Sequence, residues 1–177
     1  MILIEPTIQA KYGRLVRQRA LSAFVRDASA AAGIDGGVSV LLTGDEEIRA
    51  LNRNFRGKDK ATDVLSFPAA GGVNGHKRMG GDLAVSVETA ARQAEDLGHG
   101  LATELQILVL HGLLHLGGYD HEADEGQMAR KEAALRRRFG LAAGLIERNS
   151  EPTLSLKKRS DTDGAAGGGS GRRRGRR

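Results

Sequence analysis

The sequence predicts a single α+β domain, α/β-like in its alternation, in which a small mixed sheet of about four strands packs with about five helices and a metal site lies at the C-terminal end of an apolar helix. Three observations lead there. The 177 residues make one ordinary domain with room for a tail. Short apolar runs of strand length alternate with longer stretches of helical period. Three of the five histidines cluster where the most apolar helical stretch runs into a pair of glycines.

The elements follow in order. Ile2 to Ile8 alternates apolar and polar positions and reads as a first strand. From about Gly13 to Ala32 the period becomes helical, with Leu15, Ala20, Phe24 and Ala28 along one face, and Gly33 stops it. Val38 to Leu42 reads as a buried strand. Thr43-Gly44-Asp45, followed by Glu46 and Glu47, resembles a helix start leading through Ile48, Leu51 and Phe55. A charged loop precedes a strand from Val64 to Phe67, closed by Pro68. After the Gly-rich connection from Ala70 to Gly75, another strand runs from Asp82 to Val87. The rest is helical: Ser86 or Glu88 to about Leu97, an apolar helix from Leu101 to Leu116, and an outer charged helix from Glu122 to Phe139.

Composition narrows the chemistry. Aromatics are 3% of the chain and Trp is absent, so the core is built from Leu, Val, Ile and Ala. With no Cys, disulfides and thiolate metal sites are excluded, and imidazole and carboxylate must carry any metal. The start MILIEPTIQAKYGR is unlike a secretory signal, and no apolar run approaches the roughly 18 residues of a membrane span; the expectation is a cytoplasmic protein with no membrane partner. The net charge of +5 belongs to one end. Residues 1–149 carry 19 Lys+Arg and 19 Asp+Glu, whereas residues 150–177 carry 8 basic residues against 3 acidic ones. The reading is therefore a folded domain over 1–149 and a disordered, basic, Gly/Arg-rich tail over 150–177. Such a tail is either a polyanion-binding arm or a solubilising extension.

The chemistry concentrates in HGLLHLGGYDH, residues 111–121. A spacing of four puts His111 and His115 one turn apart on the same helix face, where two ring nitrogens can converge on one ion. Gly117-Gly118 ends the helix and lets the chain turn back, so that His121 can arrive as a third ligand. Three neutral imidazoles leave a fourth position open, the arrangement of a catalytic zinc site, although Ni, Cu or Fe suit the same donors. The plainer alternative is that these are core histidines on a Leu-rich helix. In zinc proteases the residue after the first His is the Glu that activates water; here it is Gly112, which argues against proteolysis.

HGLLHLGGYDH is similar to the HGxLHLxGYDH signature of the YbeY family of bacterial endoribonucleases, also called rRNA maturation factors. A second block, from Asn52 through Phe55, Arg56, Thr62 and Asp63 to Pro68, resembles that family's N-x-x-F-R…T-D-V-L-S-F-P segment. A third, Gly81 to Ser86, resembles its G-D-I-x-I-S strand. The resemblance covers roughly residues 1–145 and not the tail. It implies a single-strand-specific, metal-dependent endoribonuclease acting in 16S rRNA 3′-end maturation, ribosome assembly and ribosome quality control. Its implied partners are RNA and the ribosome or small-subunit proteins. It also implies one zinc ion on His111, His115 and His121, with a functional role for Arg56.

On its own terms Arg56 suits this chemistry, because a guanidinium can hold a phosphate bidentately and stabilise charge developing on it; the alternative is a solvated loop Arg beside Lys58 and Lys60. Asp82, Asp120 and Glu122 are the carboxylates from which a general base could come. Thr62 and Asp63 are expected to brace the loop after Arg56, Ser66 to hydrogen-bond locally, and His76 and His99 to be exposed loop histidines. The rival reading is a non-catalytic, metal-stabilised ribosome assembly factor that recruits other nucleases.

Overall fold

The computed structural model describes residues 1–69, 80–120 and 124–141. Its elements are β1 (Ile2–Ile4), α1 (Pro6–Val16), α2 (Gln18–Ala32), β2 (Val38–Thr43), α3 (Asp45–Arg56), β3 (Val64–Pro68), β4 (Gly81–Ser86), α4 (Val87–Asp96), α5 (Leu101–Leu116) and α6 (Gln127–Phe139). The α+β class holds, with four strands and, among the described residues, six helices rather than five.

The extra helix comes from the N-terminal region. The strand expected over Ile2 to Ile8 ends at Ile4, because Pro6 has no N–H for a ladder yet fits the first turn of a helix, and Ile8 is buried as a helical residue. The helix expected from Gly13 to Ala32 is two helices, broken at Arg17, whose backbone is left-handed (φ 50°, ψ 54°). The break rotates the buried stripe: Leu15 is 57% exposed and Ala20 is exposed, while Leu21, Phe24, Val25, Ala28 and Ala32 face the core.

The sheet order is β1-β2-β4-β3. β1, β2 and β4 are parallel and β3 is antiparallel to β4, with Val64 opposite Val85 and Ser66 opposite Leu83. Side chains alternate between the two faces. Ile2, Val40, Leu42, Leu83 and Val85 join the main core with helices α1, α2, α4, α5 and α6. On the opposite face a smaller cluster of Leu65 and Ala84 is covered by Ile48 and Leu51 of α3.

α5 is the central helix, buried on nearly every side, which is why its sequence is apolar all round. No single helix among the described residues is long and apolar enough to cross a membrane. α5 and the sheet approach closely because of Gly112: a Cβ there would lie 2.9 Å from Leu83 Cδ2 and 3.2 Å from Val64 Cγ2. The start expected for the last helix at Glu122 lies outside the described residues, which place its first turn at Gln127. That helix is also less peripheral than its charge implies, with Met128, Glu132 and Leu135 buried at i, i+4 and i+7.

Candidate metal centre

His111 and His115 lie in the last turns of α5. Their Nε2 atoms are 3.2 Å apart, with the ring planes inclined at 75°. The 3.2 Å separation is that of an N–H···N hydrogen bond between the rings, and it is also close to the roughly 3.3 Å between two nitrogens bound tetrahedrally to zinc at about 2.0–2.1 Å. The negative end of the α5 backbone dipole lies at the same end of the helix and favours a cation there.

The helix ends immediately beyond. Gly118, at φ +77°, allows its N–H to bond the His115 carbonyl at 2.9 Å, and Tyr119 N–H bonds the Leu114 carbonyl at 3.0 Å. These are the two bonds of a Schellman motif. Only the second glycine needs the left-handed conformation. Gly117 has φ −71° and sits in a tight space, where a Cβ would lie 3.2 Å from the Leu114 carbonyl oxygen. Asp124 N–H bonds the Asp120 carbonyl at 2.9 Å, and the Asp124 carboxylate accepts from Gly126 N–H and Met128 N–H, both at 2.7 Å, so the start of α6 is tied to the exit of α5. His121 and Glu122 lie outside the described residues.

A further group belongs to this site and was not anticipated. Glu132, on the buried stripe of α6 and 1% exposed, brings Oε1 to 3.4 Å from His111 Nδ1. A carboxylate behind the nitrogen that faces away from a metal is the usual partner of a ligating imidazole; it orients the ring and makes it more basic. The signal in the sequence was a Glu on an otherwise apolar helical stripe, Met128-x-x-x-Glu132-x-x-Leu135. Its charge made it resemble a surface residue.

Arg56 is the last residue of α3, exposed, at the start of a rigidly held loop. Gly57 caps the helix in the left-handed region (φ 69°), the buried Asn52 amide donates to the Lys60 carbonyl at 2.8 Å, and Arg49 forks onto both oxygens of Asp59 at 2.8 and 3.0 Å. The hydrogen bonds from Arg49, with the charges of Arg49 and Arg53, outweigh desolvation and hold the Asp59 carboxyl below the usual carboxylate value. Asp63 accepts from Val64 N–H, Thr62 and Gln93, the bracing expected of Thr62-Asp63. α3, however, packs on the sheet face opposite α5, and among the described residues Arg56 forms no ion pair or hydrogen bond with the histidines. Asp82 also belongs to the outer face, lining a hollow with Leu41, Phe55 and Phe67, and Asp120 is exposed just past the turn.

Two minor expectations are corrected. Ser66 Oγ donates across the molecule, to the Gly112 carbonyl at 3.2 Å, because alternation along β3 turns it toward α5. His99 is largely buried and pairs with Glu104 at 2.5 Å, joining the α4–α5 bend to the first turn of α5. His76 lies outside the described residues.

Fold and site together define a small α+β domain with an imidazole pair, backed by a buried carboxylate, at the end of its central helix. The sequence profile described as Endoribonuclease YbeY matches residues 5–140. A protein named Endoribonuclease YbeY from Koribacter versatilis is 50% identical over 144 residues, covering 81% of this chain and 91% of its own length. The protein of the same name from Solibacter usitatus is 47% identical over 134 residues, covering 75% and 86%. A solution structure from Thermotoga maritima aligns with TM-score 0.49 at 27% identity, over 88% of this chain and 99% of that one. The chain belongs to the endoribonuclease YbeY family.

Proposed function

We propose that this protein is a zinc-dependent, single-strand-specific endoribonuclease acting in 16S rRNA 3′-end maturation, ribosome assembly and ribosome quality control, in the cytoplasm. Family membership supports the nuclease reading, and the observation that carries the metal is the 3.2 Å separation of His111 Nε2 and His115 Nε2. His111 and His115 would hold the ion through Nε2, with His121 as the third ligand and nickel or another divalent transition metal as a possible substitute. A zinc ion held there would supply Lewis-acid polarisation of the scissile phosphodiester and acidify water near it.

The chain's own groups do the rest. Glu132 would keep His111 oriented by facing Nδ1 as an acceptor for its N–H, which leaves the Nε2 lone pair for the ion. Gly112 lets α5, which carries both imidazoles, lie close against Leu83 and Val64 of the sheet. Arg56, presented by a loop that Asn52 and Asp59 hold, binds a phosphate of the RNA.

Purified protein, metal-loaded and metal-stripped, should be assayed on a single-stranded RNA beside His115→Ala and Arg56→Ala. The expected result is loss of cleavage on stripping, on His115→Ala, and by about 100-fold or more on Arg56→Ala with metal content and Tm unchanged. Cleavage that survives all three points to a contaminating nuclease, and the assembly-factor reading then replaces this one. Product ends separate the chemistries: 5′-phosphate and 3′-hydroxyl fit attack by water, whereas 2′,3′-cyclic phosphate means attack by the RNA's own 2′-hydroxyl and removes the water-activating role.

A further inference from the structure

The sheet has one well-covered face and one that α3 covers only in part. On the partly covered face Phe55, the penultimate residue of α3, is 67% exposed. Its ring meets that of Phe67 on β3 edge to face, with centroids 5.2 Å apart at 70°. The two rings, with Leu41, Leu51, Leu83 and Ala84, line an open, mainly apolar hollow whose one carboxylate is Asp82. A large exposed aromatic held rigid by a second ring spends little side-chain entropy when something packs on it. Beside it the chain is strongly basic: residues 49–60 carry five Lys or Arg against the single Asp59. Arg49 and Arg53 are turned to Asp59. Arg56, Lys58 and Lys60 are exposed and form no ion pair among the described residues.

An apolar protein partner would leave those three cations uncompensated at its rim. A polyanion whose units each carry a flat apolar face and a phosphate satisfies both features together. We infer that Phe55, supported by Phe67, is a stacking platform for an unpaired RNA base, and that the cations of the 56–60 loop hold the flanking phosphates. The inference rests on the nuclease reading above and deepens it, because it supplies a source of single-strand preference: bases inside a duplex are already stacked and offer no free face. The location is consistent with passage to the histidines. β3 is the edge strand, Phe67 faces the hollow, and the neighbouring Ser66 faces α5 and bonds Gly112, next to His111.

The test is equilibrium binding of the metal-loaded protein to a labelled 2′-O-methyl phosphorothioate RNA of about 12 nucleotides, single-stranded and as a duplex, its integrity checked on a gel after each titration. Phe55→Ala should weaken the single strand by roughly 5- to 100-fold, the loss expected for one stacked base, and leave the duplex and Tm unchanged. Phe55→Trp should bind as the parent protein does. Phe55→Leu, which keeps the apolar bulk, should lose affinity as Ala does and serves if Phe55→Ala folds poorly. Equal affinity of Phe55→Ala for the single strand overturns the inference, as does equal loss on single strand and duplex. Loss of self-association with RNA binding intact overturns it too and makes the hollow a contact between copies of this chain. Cleavage of unmodified RNA by the parent protein is scored separately: Phe55-dependent binding without cleavage would sink the nuclease reading alone, and cleavage with Phe55-independent binding would sink the platform alone.

Discussion

Glu132 is a charge that the fold has taken almost entirely out of water, an arrangement that costs several kcal/mol unless a partner offsets it. Its carboxylate faces His111 Nδ1, so its contribution is to the imidazole rather than to α6. If it orients a metal ligand, Glu132→Gln should lower zinc affinity by about 10- to 100-fold, read by competition with a chelator of known strength, while the metal-stripped protein melts close to the parent. Unchanged zinc affinity would make Glu132 a packing residue. Arg17 is the opposite case, an exposed residue whose importance is conformational. Its left-handed backbone separates α1 from α2, and in an L-residue that geometry costs about 1–2 kcal/mol. The burial of Val16 and Leu21 on either side is what the two helix directions gain in return.

At the scale of elements, the site depends on how closely α5 can lie on the sheet. Gly112→Ala would press a methyl group into Leu83, buried in the core, and Val64, packed against it, and should destabilise by about 1–3 kcal/mol, as overpacking does; a urea midpoint equal to the parent's would mean the helix can lift at no cost. The other junction joins α3 to α4. Asp45 Oδ1 accepts from the Ser86 and Thr89 hydroxyls and Oδ2 from Arg92. Burial pushes its carboxyl up, but those three hydrogen bonds and the Arg92 charge outweigh it and hold the group below the ordinary carboxylate value. A depressed carboxyl adds stability that is fully present above the unfolded value and lost as pH falls through the folded one. Asp45→Asn should therefore cost about 1–2 kcal/mol near neutrality and almost nothing in strong acid; a gap between parent and variant that does not close on acidification would refute the assignment. These elements also mark what was legible in the sequence. α5 was readable to the residue, because burial made it apolar all round and glycines bound it, and the i, i+4 histidines lay within it. The α1–α2 break was not, because no Gly or Pro marks it and only tertiary burial of Val16 and Leu21 selects it. Glu132 was hidden for a similar reason: a charge on a charged helix does not reveal which face it takes. Ser66 reads as local until β3 is known to lie beside α5.

For the molecule as a whole, charge is distributed unevenly. Residues 1–149 balance to zero, and the excess of +5 resides in residues 150–177, so long-range attraction to a polyanion and local recognition are assigned to different parts of the chain. Local recognition would fall to the 49–60 cluster, where five cations oppose one carboxylate. The tail would add affinity that reads no base, since counterion release follows charge density alone, about 0.9 per phosphate on a duplex and about 0.7 on a single strand. Removing residues 150–177 should then weaken binding to single strand and duplex alike and flatten the plot of log affinity against log salt, by about 0.7 for each phosphate the tail neutralises on a single strand. The ratio of single-strand to duplex affinity should hold or rise, because the tail's counterion release is the larger on a duplex. Anisotropy titrations at several salt concentrations, on full-length and truncated protein, read both quantities at once. An unchanged salt slope would remove the tail from the RNA-binding surface, and a ratio that falls on truncation would mean that preference for single strands originates in the tail rather than at Phe55.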